Sequence, residues 1–144
     1  MSRFTIEVVH DDYPEEPYRQ GTMWWWHGRY RSPDPIPIPP NAIQLPVYMY
    51  DHSAVALSTN PFSCPWDSGQ VGVIWIERQP DMTEEQALDL LRAEVAEYSS
   101  FLNGEVYRWA IYDEDGNTID GCGGYYSREH CISDALQEMK EILT

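Results

Sequence analysis

The residues with chemical potential in this chain fall into a few short stretches, and spacing tests each of them. The first is Asp113–Asp120, DEDGNTID. A calcium loop of the helix–loop–helix kind needs oxygen ligands at its first, third and fifth positions, glycine at the sixth and a bidentate Glu at the twelfth. Asp113, Asp115 and Asn117 fill the first three, but Thr118 takes the glycine position and Gly124 the Glu position. The flanks alternate like strands, so the segment predicts a polar hairpin turn. The second is Cys64 with His52 as a thiol and base. Cys64 lies in Ser63-Cys64-Pro65-Trp66, with no glycine motif ahead of a helix to supply oxyanion donors. It reads as a packed or idle cysteine. His10, His27 and His130 lack metal-ligand spacing with any cysteine, and His130 and Cys131 point about 100° apart on a helix. Gly121-Cys122-Gly123-Gly124 lacks the spaced glycines of a dinucleotide loop. The sequence therefore predicts no metal, no cofactor and no catalytic centre.

Binding is the remaining class, and charge bounds it. Of 144 residues, 24 are Asp or Glu and 9 are Lys or Arg, for a net charge of −15. Such a charge repels nucleic acid and anionic lipid, and readers of nucleic acid carry basic patches instead. Two roles for the charge stay open: solubility, or competition with a phosphate backbone for a basic partner. Six Trp and ten Tyr supply material for a bulky core or a binding face. Three cysteines at 64, 122 and 131 match no disulfide framework. With no apolar leader and no apolar run of about 18 residues, the expectation is a cytoplasmic protein with reduced thiols.

The elements that position these residues follow from periodicity. Phe4–Val9, Leu45–Tyr50, Ala54–Thr59, Gln70–Glu77, Glu105–Tyr112 and Thr118–Tyr126 read as strands. Thr83 opens a helix with Gln86 as its capping-box partner, and Asn103-Gly104 closes it. Its apolar stripe is Leu88, Leu91, Val95, Tyr98 and Leu102. Ser127 caps a second helix with the stripe Ile132, Leu136, Met139 and Leu143, and Ala135 and Ile142 alongside. The predicted fold class is α+β: an antiparallel or mixed sheet of about five to six strands with both helices on one face. Residues 1–144 form one domain in this reading, with 10–42 an irregular aromatic and proline-rich arm.

Two candidate surfaces result. The acidic one lies opposite the helix stripes: Glu85, Asp89, Glu94 and Glu97 on the first helix, Asp134, Glu138 and Glu141 on the second. The other is aromatic. In Trp24-Trp25-Trp26-His27-Gly28-Arg29-Tyr30-Arg31, three successive Trp on an extended chain cannot share one face. They could stack on a base or a proline-rich peptide, or clamp the chain's own proline arm. Trp66 and Asp67, in the loop NPFSCPWDSG, belong to this alternative surface.

The stretches LSTNPFSCPWDSGQVGVIWI and YSSFLNGEVYRWAIYDEDGNTIDGC make the region from Val47 to Gly124 resemble small uncharacterised proteins of bacteriophages and mobile elements. The resemblance implies a setting and carries no site residues. Small acidic proteins of that origin often inhibit host defence, as anti-CRISPR or anti-restriction proteins. The expectation is an inhibitor in the bacterial cytoplasm that blocks a host protein or ribonucleoprotein at its basic nucleic-acid-binding surface.

Overall fold

The structure is a computed structural model that describes residues 3–26, 38–52, 54–63, 66 and 68–144. Along the chain lie β1 (Thr5–His10), β2 (Thr22–Trp25), β3 (Ile43–Asp51), β4 (Val55–Ser58), β5 (Ser68–Ile76), α1 (Glu84–Leu102), β6 (Tyr107–Tyr112), β7 (Thr118–Tyr125) and α2 (Arg128–Leu143). The protein is α+β with two helices, as its periodicity predicts. The single sheet of five to six strands is corrected: seven described strands form two antiparallel sheets, ordered β1-β6-β7 and β2-β5-β3-β4. The helices do not share one face either, since each packs on its own sheet. Alternation identifies a strand but not its neighbour, which is why the sequence merges the two sheets.

The chain divides into two compact units, Pro17–Asn103 and Met1–Glu16 with Gly104–Thr144. In the first, α1 covers the four-stranded sheet. Alternate residues Ile43, Val47 and Met49 of β3, Ile74 and Ile76 of β5, and Leu57 of β4 point at the helix and meet Ala87, Leu91 and Val95. β2 lies inside the stretch that the sequence assigns to an irregular arm. It pairs with β5, with Trp25 opposite Gly72, and Trp25 joins the core at 8% exposure. Gly72 is required there, because a Cβ would strike the Trp24 carbonyl. Thr83 and Gln86 make the reciprocal capping bonds predicted for α1, at 3.1 and 2.9 Å.

In the second unit, β6 is the central strand and α2 packs mainly on it. Trp109, Ile111, Cys131 and Ala135 form the buried cluster, ringed by Phe4, Ile6, Val8, Met139 and Ile142. The predicted α2 stripe holds at Met139, with Ala135 and Ile142 alongside, and is corrected at Leu136 and Leu143. The helix is turned so that Cys131 and Ala135 face the sheet, while Leu136 and Leu143 stand outward. A three-stranded sheet offers a narrow floor, and small side chains let the helix approach it closely.

Candidate functional surfaces

The acidic residues of α1 do not form one solvated face. Glu85, Asp89 and Glu97 are exposed, but Glu94 is only 5% exposed. This overturns its outward placement. Glu94 sits three residues after Leu91 and beside Val95, within the buried arc of the helix. Its carboxylate accepts the backbone N–H of Gln20 on Oε2 at 2.7 Å and that of Gly21 on Oε1 at 2.9 Å. Two charge-assisted bonds offset the cost of burying the charge. Gly21 allows the approach, since a Cβ there would lie 2.7 Å from Leu91 Cδ2 and 3.1 Å from Glu94 Oε1. Burial, then the charge of Glu94, raises the Glu97 carboxyl above its ordinary range. Asp89 pairs with Arg92 at 3.1 Å, and Glu84 with Arg78 at 3.5 Å. Part of the acid on α1 is thus already answered within the chain.

On α2, the Asp134 side chain keeps the outward placement expected of it, 47% exposed, but it is already bonded within the chain. It ends a chain of bonds that begins in the core. The buried Trp109 donates its indole N–H to the Tyr125 hydroxyl at 3.1 Å, and that hydroxyl donates to Asp134 Oδ2 at 2.9 Å. His130 Nε2 lies 3.5 Å from the same oxygen, and its ring meets Tyr125 edge-on. Burial raises the Tyr125 phenol, the Trp109 donor lowers it, and Cys122 and Asp134 raise it again, to about 12. The Cys131 thiol is raised too, by burial first and then by Asp134 and Cys122, so it stays protonated and weakly nucleophilic.

Glu138 and Glu141 have a different neighbour. Asp120, on the edge strand β7, lies close enough to Glu138 to raise its carboxyl, ahead of burial and then Glu141. Three carboxyl groups from a strand and a helix are therefore crowded together. The sequence identifies two of them and misses Asp120, because nothing local signals that β7 lies beside α2. The hairpin turn carries further acid. Asp113 turns inward, with its Oδ1 accepting the N–H groups of Asn117 at 2.8 Å and Asp115 at 2.9 Å. The Asn117 backbone bond is the largest of the causes that lower its carboxyl. This is the polar turn predicted from the failed calcium spacing. Glu114 and Asp115 remain exposed.

Of the aromatic candidates, Trp25 belongs to the core. Trp24 is half-buried on the other face of the sheet, with its ring 5.7 Å from that of Trp26. The separation of successive Trp side chains follows the strand alternation expected from sequence. Trp26 is 43% exposed and Trp66 is 90% exposed. Asp67, Cys64 and His27–Arg31 lie outside the described residues. A polar cleft of about 390 Å³ beside Trp66 is lined by Met49, Asp51, Ser68, Gly69, Gln70 and Val71. Among the described residues, no group of three or more His, Cys, Asp or Glu side chains could hold a metal ion. No helix among them is long and apolar enough to cross a membrane.

Comparison with known proteins finds no matching family profile, no matching curated protein and no matching solved structure. The geometry above therefore carries the functional argument alone.

Proposed function

We propose that this chain is a non-enzymatic acidic inhibitor that occupies the basic nucleic-acid-binding surface of a host defence protein, with carboxylates standing in for phosphates. The observation that carries the reading is the uneven placement of the charge. Fourteen of the 24 carboxylates, against four of the 9 basic side chains, fall in the unit of Met1–Glu16 and Gly104–Thr144. That unit alone contributes about two-thirds of the net charge. Charge needed only for solubility has no reason to concentrate in the smaller unit. The crowding of Asp120, Glu138 and Glu141 supports the same reading. Repulsion among them is relieved by an incoming Arg or Lys, so a cation gains more there than at an isolated carboxylate.

The test is affinity capture from host lysate, then titration of the captured protein with competing double-stranded DNA. Glu138→Gln with Glu141→Gln is expected to weaken binding by on the order of 1–3 kcal/mol for each desolvated pair lost. DNA is expected to displace the chain, and added salt to weaken binding. Simultaneous binding of DNA and the chain refutes the decoy. A second reading rests on Trp26 and Trp66, whose exposure suits an aromatic-led protein contact. Salt leaves such a contact nearly unchanged, which separates the two.

A further inference from the structure

The outward side of α2 carries large apolar side chains that the fold leaves more than half exposed. Leu136 is 55% exposed and Leu143 is 63% exposed. Together with Met139, Lys140, Ser133 and Gln137 they line a groove of about 460 Å³. Leu136 and Leu143 are seven residues apart, so they lie on one meridian of the helix about 10.5 Å from each other. Glu129, exposed, lies one heptad before Leu136 on the same meridian. An isolated exposed leucine needs no explanation, but two in register above a groove mark a contact surface.

Charge decides what fits. The unit that holds α2 is the more acidic of the two, and every copy of the chain carries −15, so a second copy meets repulsion. An apolar segment with a basic flank meets attraction. We propose that the outward groove of α2 is the docking site for a basic amphipathic helix of the partner. That helix seats two apolar side chains, one heptad apart, on Leu136 and Leu143 and sets a cation against Glu129. This deepens the proposed function and rests on its basic partner.

The probes are two synthetic peptides of equal length and identical Leu and Lys content. In one the Leu residues follow a heptad pattern, and in the other they are scattered. Binding is read by fluorescence anisotropy and by amide shifts along α2, at low and moderate salt. The heptad peptide is expected to bind at least about tenfold more tightly than the scattered one. Leu136→Ser with Leu143→Ser is expected to remove that difference without changing circular dichroism or the melting temperature. If both peptides bind equally and the serine variant matches wild type, charge alone acts. The groove proposal then fails while the basic-partner reading stands. If neither peptide binds even at low salt, both fail. A serine variant with a clearly lowered melting temperature overturns the proposal by making the leucines structural. So does concentration-dependent dimerisation that the variant abolishes, which would assign the groove to a second copy.

Discussion

Replacing Glu94 by Gln separates carboxylates that hold the fold from those that only charge the surface. The Glu94 carboxylate satisfies two backbone donors at once, Gln20 N–H at 2.7 Å and Gly21 N–H at 2.9 Å. A glutamine keeps one acceptor oxygen and turns an NH₂ group toward the other donor. One charge-assisted bond is lost, about 1.5–3 kcal/mol, and one buried N–H is left unpaired, about 1–3 kcal/mol. Part of this returns, because a neutral amide is cheaper to bury and Glu97 loses a repulsive neighbour. The expected net loss is about 3 kcal/mol for the unit of Pro17–Asn103. With urea slopes of about 1–3 kcal/mol per molar, the midpoint should fall by roughly 1–3 M. Glu97→Gln removes an equal charge from an exposed site and should stay within about 0.5 kcal/mol of wild type. Since two units need not unfold together, the local readout is hydrogen exchange at the Gln20 and Gly21 amides, which should accelerate only in the Glu94 variant. Equal midpoints for the two variants, with unchanged exchange at both amides, would refute the buried-carboxylate account.

Leu91, fully buried against the four-stranded sheet, should cost about 2–5 kcal/mol on truncation to Ala, measured by the same urea titration; a loss below about half a kcal/mol would place it outside the core. Tyr125→Phe should remove from the phenolate absorbance titration the component that ionises at about 12. Because the folded phenol is raised, its contribution to stability is present below the ordinary tyrosine range and is lost as pH rises toward that value, so the variant should show a flatter alkaline limb. Asp113 has the opposite sign. Its folded carboxyl is lowered, so its contribution is present above the ordinary aspartate range and is lost as acid protonates it, and Asp113→Asn should flatten the acid limb of a melting-temperature profile.

Local chemistry was the legible part of this chain. The α1 cap at Thr83 and Gln86, the turn at Asp113–Asn117 and the alternation of β6 are written in adjacent residues, and the structure places them as expected. What escaped was information held between distant segments. β2 is only four residues long, too short for alternation to announce it, so its pairing with β5 is decided by the partner strand. Glu94 reads as surface because carboxylates usually are, and only the arrival of Gln20 and Gly21 from the far side of the sequence makes its burial tolerable. Asp134 stays partly solvated, and its bond from the Tyr125 hydroxyl is likewise invisible in the local sequence.

The errors on the two helices run in opposite directions, and together they sharpen the functional argument. On α1 a charge expected at the surface is taken inward, and Arg78 and Arg92 answer two of its neighbours. Part of the acid there is committed to the fold. On α2 two of the apolar residues expected inside, Leu136 and Leu143, are turned outward, and Asp120 and Glu141 both crowd Glu138. A helix whose only task was to cover a three-stranded sheet would gain from pointing Leu136 and Leu143 at it, at about 1.5–3 kcal/mol for each side chain buried. The chain forgoes that gain, and on the opposite flank of α2 it keeps Glu138 pressed between Asp120 and Glu141. An apolar contact would recover the first cost and a basic contact the second. This is why α2 and the edge of β7, more than the acidic helix the sequence advertises first, are where the partner should be sought.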